Sequence, residues 1–203
     1  MSHALILVAV DSHARGQQDL EKAVAHEMAP FDENGQWFRD GSRWDWWVIG
    51  GRYDGRLGRK NVVQRKDLDP VKLLKERAKA AAHAWEEAQK QAPDIRELAY
   101  GPANISKDAY IQGRTVSPFF CGYFLRNRHW HENGRMGWFG VAAKSECQVR
   151  GRDKGKCLHT CDKTGAKVID WNGDETEWNA RYWDRFIEPL DPDTWLCVVD
   201  FHV

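Results

Sequence analysis

Apolar residues gather in two long runs at the ends of the chain and in helical stripes between them. Ala4-Leu5-Ile6-Leu7-Val8-Ala9-Val10 is continuous over a strand's length and stops at the turn chemistry of Asp11-Ser12, so it predicts a central strand buried on both faces. Trp195 to Val203 predicts a second buried strand, adjacent to the first in the sheet. From Gln17 to Met28, Leu20, Ala23, Val24 and Met28 recur at three and four, the spacing of a short amphipathic helix ended by Pro30. A longer helix starts at Asp69-Pro70, carries Leu74, Ala78, Ala81, Ala82, Trp85 and Ala88 on one stripe, and ends before Pro93. Its solvated face holds Lys72, Lys75, Glu76, Lys79, Glu86 and Glu87. A last helix is predicted over roughly Thr176 to Glu188, with Pro189 and Pro192 at its exit.

Between these lie a strand centred on Trp46 to Ile49, broken by Gly50-Gly51, and two apolar runs, Pro118 to Leu125 and Met136 to Ala143. The polar link Arg126 to Arg135 makes the two runs a hairpin with a long connection. Terminal strands with helices and a hairpin between them give an α+β class: an antiparallel or mixed sheet with packed helices, of ferredoxin-like character, in one domain over 1–203. The terminal strands are expected to pack on the helix near residues 70–91. The Cys-, Lys- and Gly-rich stretch about 147–173 reads as an exposed insert.

Composition narrows the function. Lys+Arg 30 balances Asp+Glu 30 in 203 residues, which gives no general pull toward duplex phosphates and disfavours a duplex nucleic-acid partner. The first apolar run is too short to span a membrane and lacks a cationic flank, so no membrane partner and a cytoplasmic location are expected. Five Cys, an odd number, in a chain of this length argue against a disulfide framework. Eleven Trp are an excess, and four of them crowd between Trp37 and Trp47, where at least one is expected to line a cleft.

Several segments resemble, in order, a family of small proteins encoded by bacteriophages and prophages. They are Met1-Ser2-His3, Ala29-Pro30-Phe31-Asp32-Glu33-Asn34, Trp44-Asp45-Trp46-Trp47-Val48-Ile49-Gly50-Gly51-Arg52-Tyr53, Trp130 to Gly140, Asp191-Pro192-Asp193-Thr194 and Val199-Asp200-Phe201-His202-Val203. The family often has Cys where this chain has Phe201 and Trp where it has Tyr53, and the Cys-rich insert has no counterpart in it. The resemblance implies a phage context, hence an infected bacterial host cell, and no particular activity.

Chemistry must come from the residues. His131 and Glu132 before a strand, and His202 near the end of the last strand, are the candidate catalytic groups, because two imidazoles act as general acid and base on a phosphodiester at neutral pH. Arg52, after two glycines, is placed to hold a phosphate, with Trp46, Trp47 or Trp138 stacking a base, Asp45 accepting from its edge and Tyr53 alongside. The first reading is a counter-defence phosphodiesterase that binds and cleaves a cyclic-dinucleotide-type signal without a cofactor. The alternatives are a sponge that only sequesters the nucleotide, or a protein-binding phage accessory; a homo-oligomer is left open. Cys147, Cys157, His159 and Cys161 form a weak zinc candidate, since the usual close spacing is absent on one side. The pair His129 and His131 is a second, weaker metal candidate. Nucleophile elbows, phosphate loops and dinucleotide fingerprints are missing, which removes hydride transfer and ATP hydrolysis.

Overall fold

The computed structural model describes residues 3–11, 16–34, 43–90, 105–133 and 175–202, with the backbone of 168–171. Among the described residues, seven strands form one mixed sheet: β1 (His3–Val10), β2 (Trp46–Ile49), β3 (Val62–Gln64), β4 (Tyr123–Arg126), β5 (His129–Glu132), β6 (Val168–Trp171) and β7 (Trp195–His202). Their order is β2-β7-β1-β4-β5-β6, and β3 shares the outer side of β7 with β2. β7 is antiparallel to β1, β2 and β3, whereas β1 and β4 run parallel. Both terminal runs are therefore central strands and direct neighbours, as their unbroken apolarity requires.

Each sheet face has its own helical cover. On one face α1 (Gln17–Met28) lays Leu20, Val24 and Met28 over Ile6, Val8, Val199 and Phe201. On the other, α4 (Glu175–Tyr182) and the π-helical turn Trp183–Ile187 bring Trp178, Tyr182, Phe186 and Ile187 onto Leu7, Phe124, Leu196 and Val198. Alternation along the strands assigns the side chains: odd residues of β1 and even residues of β7 share the α4 face.

Four expectations change. The ferredoxin-like order is not found: β1 pairs directly, in parallel, with the first strand of the hairpin, where a split βαβ keeps its parallel strands apart. The hairpin is short, joining β4 to β5 through Asn127-Arg128 alone, both left-handed at φ 51° and 58°. That is the backbone of a primed two-residue turn, and an Arg where Gly is usual concealed it in the sequence. The predicted second hairpin strand, Met136 to Ala143, lies outside the described residues.

The long helix α2 (Pro70–Gln89) starts as expected, with Asp69 accepting from the Val71 and Lys72 N–H groups. It does not lie along the terminal strands. Leu73 alone of its residues joins the core cluster on the α4 face, and the helix packs mainly on α3 (Lys107–Arg114). Arg77 Nε donates to the Arg114 carbonyl at 3.0 Å and Trp85 Nε1 to the Ile105 carbonyl at 3.2 Å. An Ala-rich stripe is narrow enough for another helix and supplies too little apolar area to cover a sheet. Finally, 168–171 pair with β5, so the end of the supposed exposed insert belongs to the sheet.

Two cysteines are deep in this core. Burial pushes the Cys121 thiol up to about 11 and the Cys197 thiol up to about 12. Both are therefore expected to resist iodoacetamide at mildly alkaline pH in the folded protein and to react in denaturant, as peptide mapping would show.

Candidate functional site

The register of β1, β7 and β2 gathers residues from both ends of the chain. His3 pairs with His202, and His202 pairs with Trp46 on the other side, so these three side chains share the α4 face at one end of the sheet. Two positions back along β7, Asp200 occupies the same face beneath them. The imidazole centroids of His3 and His202 are 5.4 Å apart.

Each imidazole has its own carboxylate. His3 Nδ1 lies 2.9 Å from Asp200 Oδ1, and His202 Nδ1 lies 2.6 Å from Asp45 Oδ1. An ionised carboxylate only accepts, so Nδ1 donates in both pairs and each Nε2 carries the lone pair while the ring is neutral. Asp200 is 1% exposed, and its second oxygen accepts the Arg52 N–H at 2.9 Å. The Tyr53 hydroxyl donates to the His3 carbonyl at 3.1 Å, and burial, then the Asp200 carboxylate, push its phenol up, keeping it a donor.

Gly51 makes this seat possible. Its φ of +60° is left-handed, and a Cβ there would come 2.5 Å from Asp200 Oδ2 and 2.7 Å from Asp200 Cβ. The Gly50-Gly51 pair is thus a turn that lets the backbone close over a buried carboxylate. Gly51→Ala is expected to cost about 1–3 kcal/mol from the backbone alone and to separate His3 from Asp200. Urea unfolding and the His3 imidazole NMR signals check this.

Of the sequence candidates, His202, Asp45, Trp46, Arg52 and Tyr53 come together here. Trp46 is 47% exposed and meets His3 edge-on at 5.9 Å. The Arg52 guanidinium is exposed and makes no ion pair with the described residues. Trp47 points to the opposite face, where it packs with Trp44 and lines a groove of about 1080 Å³ with Leu20, Ile49, Val62 and Trp195. Trp138, Cys147, Cys157, His159 and Cys161 lie outside the described residues.

The expected convergence of His131 and His202 fails. His131 aligns through Phe124 and Leu7 with Val198, three strands away from the position of Val198 on β7, or roughly 14 Å. Val198 is itself four positions short of His202. The two histidines share a face but sit at separate places on it, with His131 against Phe186 at 5.0 Å. Glu132 faces the other way, 1% exposed, where Oε2 accepts from Arg43 Nε and Trp130 Nε1, each at 3.2 Å. That buried pair ties residue 43 to β5. Glu132→Ala is expected to cost about 1–3 kcal/mol, because it removes the buried oxygen that accepts from Arg43 Nε and Trp130 Nε1, and calorimetric melting measures the loss.

His3 and Asp200 are the site residues that sequence reasoning missed. Asp200 had a signal: a carboxylate inside the apolar run Leu196 to Phe201, two residues from a His, is unlike a strand that only fills a core. His3 had none until the register of β1 on β7 was known.

Among the described residues no three His, Cys, Asp or Glu groups form a metal-holding cluster, and no helix is long and apolar enough to cross a membrane. No protein-family model, curated protein or solved structure matches this chain.

Proposed function

We propose that the His3–Asp200 and His202–Asp45 pairs are the acid–base machinery of a phosphodiesterase acting on a nucleotide. The observation that carries this reading is two carboxylate-oriented imidazoles side by side, with ring centroids 5.4 Å apart, beside an exposed Trp. One neutral imidazole takes a proton at Nε2 from an attacking water as the new P–O bond forms. The other, as imidazolium, gives its Nε2 proton to the departing nucleoside oxygen as the old P–O bond breaks. The sum is addition of one water, and exchange with solvent restores both rings. Asp200 and Asp45 hold the rings and stabilise whichever is charged.

Trp46 supplies a face for a base, and the exposed Arg52 supplies a guanidinium for a phosphate oxygen. The phage resemblance makes a cyclic-dinucleotide signal of the host the first substrate to test, in a counter-defence role. Pure protein is incubated with labelled cyclic dinucleotides and the products are separated. Linear dinucleotides or mononucleotides support the enzyme. Tight binding with intact ligand recovered after denaturation supports a sponge instead, in which Trp46 stacking and Arg52 suffice. No stabilisation by any nucleotide favours a protein-binding accessory.

A further inference from the structure

A row of arginines leads away from the His3–His202 pair. It starts at Tyr53, whose hydroxyl donates to the His3 carbonyl and lies within the field of the Arg56 and Arg52 guanidiniums. Arg77 of α2 lies in turn within the field of Arg56 and of Arg114, the last residue of α3. The bond from Arg77 Nε to the Arg114 carbonyl, 3.0 Å long, fixes the two helices so that these arginines stay together. Tyr53 and Phe120 both pack against the core cluster of the α4 face, so the row follows the face that carries the imidazoles.

Each guanidinium has an aromatic bed. Arg56 lies 5.9 Å over the Tyr53 ring, Arg77 4.1 Å over Phe120 and Arg114 5.2 Å over Tyr110. A ring on one side holds the planar group and leaves its other face for a base and its N–H edge for a phosphate oxygen. The charges are also unanswered. Lys66, Lys90 and Lys107 each meet a carboxylate at 2.6 Å, whereas Arg52, Arg56, Arg77 and Arg114 make no ion pair with the described residues. Asp54, close to Arg56 in sequence, accepts from Asn61 Nδ2 instead. Burial first, then the Arg56 and Arg114 guanidiniums, pull Arg77 down to about 10, so it remains charged at neutral pH. Among the described residues no carboxylate acts on it.

Like charges held side by side repel, and an anion that bridges them offsets the cost. We infer that this row binds the phosphate backbone of a linear single-stranded nucleic acid. Arginine planes backed by aromatic rings suit bases that are unpaired and free to stack, and a duplex keeps its bases stacked inside. A cyclic dinucleotide, with its two phosphates close together, reaches only the end of the row beside His3, whereas a linear strand can follow all of it. Binding stands on the geometry of the row, and only the role of the strand as substrate rests on the phosphodiesterase reading.

Fluorescence anisotropy of the full chain with a labelled oligothymidylate of about 12 nucleotides tests this, with duplex DNA of the same length and polyglutamate as competitors. Saturable binding is expected, with log affinity falling against log salt at a slope of about −2, as for three neutralised phosphates. Arg56→Gln and Arg114→Gln, both exposed changes, should each weaken binding about tenfold and flatten the slope by about 0.7, with thermal melting unchanged. Lys79→Gln, exposed on α2, removes the same charge elsewhere and should alter neither reading. No saturable binding at low salt, equal weakening by Lys79→Gln, or competition by duplex or polyglutamate as strong as by the unlabelled strand overturns the inference. Cleavage of cyclic dinucleotides without strand binding overturns it too and leaves the phosphodiesterase standing. Strand binding that depends on the arginines, with no nucleotide cleaved, supports the row and overturns the phosphodiesterase.

Discussion

A chain that ends at Thr194 is expected to give no cooperatively melting protein. β7 lies inside the sheet, hydrogen-bonded to β1 along one side and to β2 and β3 along the other. Its Leu196, Cys197, Val198, Val199 and Phe201 are all 0% exposed. Burying such side chains is worth about 1.5–3 kcal/mol each, so five of them match the whole stability of an ordinary domain, about 5–15 kcal/mol. Their loss would also strip the partner from β2 and β3 and bare the edge of β1, which invites aggregation. Soluble expression followed by thermal melting under circular dichroism checks this. A soluble truncated chain with a sharp transition would contradict the topology.

The second large effect concerns turnover. If the phosphodiesterase reading holds, His3→Ala and His202→Ala should each lower turnover roughly a hundredfold or more while ligand binding stays largely intact, since each removes one proton transfer. The rate should follow a bell in pH, because one ring must be neutral and the other protonated. Asp200→Asn tests the positioning carboxylate: the neutral amide cannot stabilise the imidazolium, so turnover should fall and the bell should narrow or move. His131→Ala is the control, and because His131 lies three strands away from β7 it should cleave at the wild-type rate. Full turnover in either His3→Ala or His202→Ala would end the enzyme reading in favour of sequestration.

The segments that stand out as motifs in the sequence and the residues that build the site overlap. His3, Asp45, Trp46, Gly51, Arg52, Asp200 and His202 come from three segments spread from one end of the chain to the other, and β7 lies between the other two strands. As motifs, the segments point to His202 and Arg52. They do not show that His3, two residues into the chain, is the partner of His202. His131 looked better because it stood beside Glu132 in a polar stretch. That stretch is β5, where neighbouring residues point to opposite faces, so adjacency in the sequence became separation across the sheet.

What was legible in the sequence is what depends on neighbours a few residues apart. The continuous runs of β1 and β7, the spacing of Leu20, Val24 and Met28 in α1, and the Asp69-Pro70 start of α2 each record a local period or a local cap. Short elements carried too little periodic signal, so β3 and α3 went unseen, and the Asn127-Arg128 turn hid behind an unusual residue. Only the tertiary structure decided the order of the strands, the helix that covers each face, and the register that sets His3 opposite His202. Register is a relation between strands nearly a whole chain apart, and it arises from burying both faces of β1 and β7 at once. A shift of one residue would turn Asp200 and His202 to the other face and their apolar neighbours out of the core, so the packing of Val198, Val199 and Phe201 is what places the imidazoles.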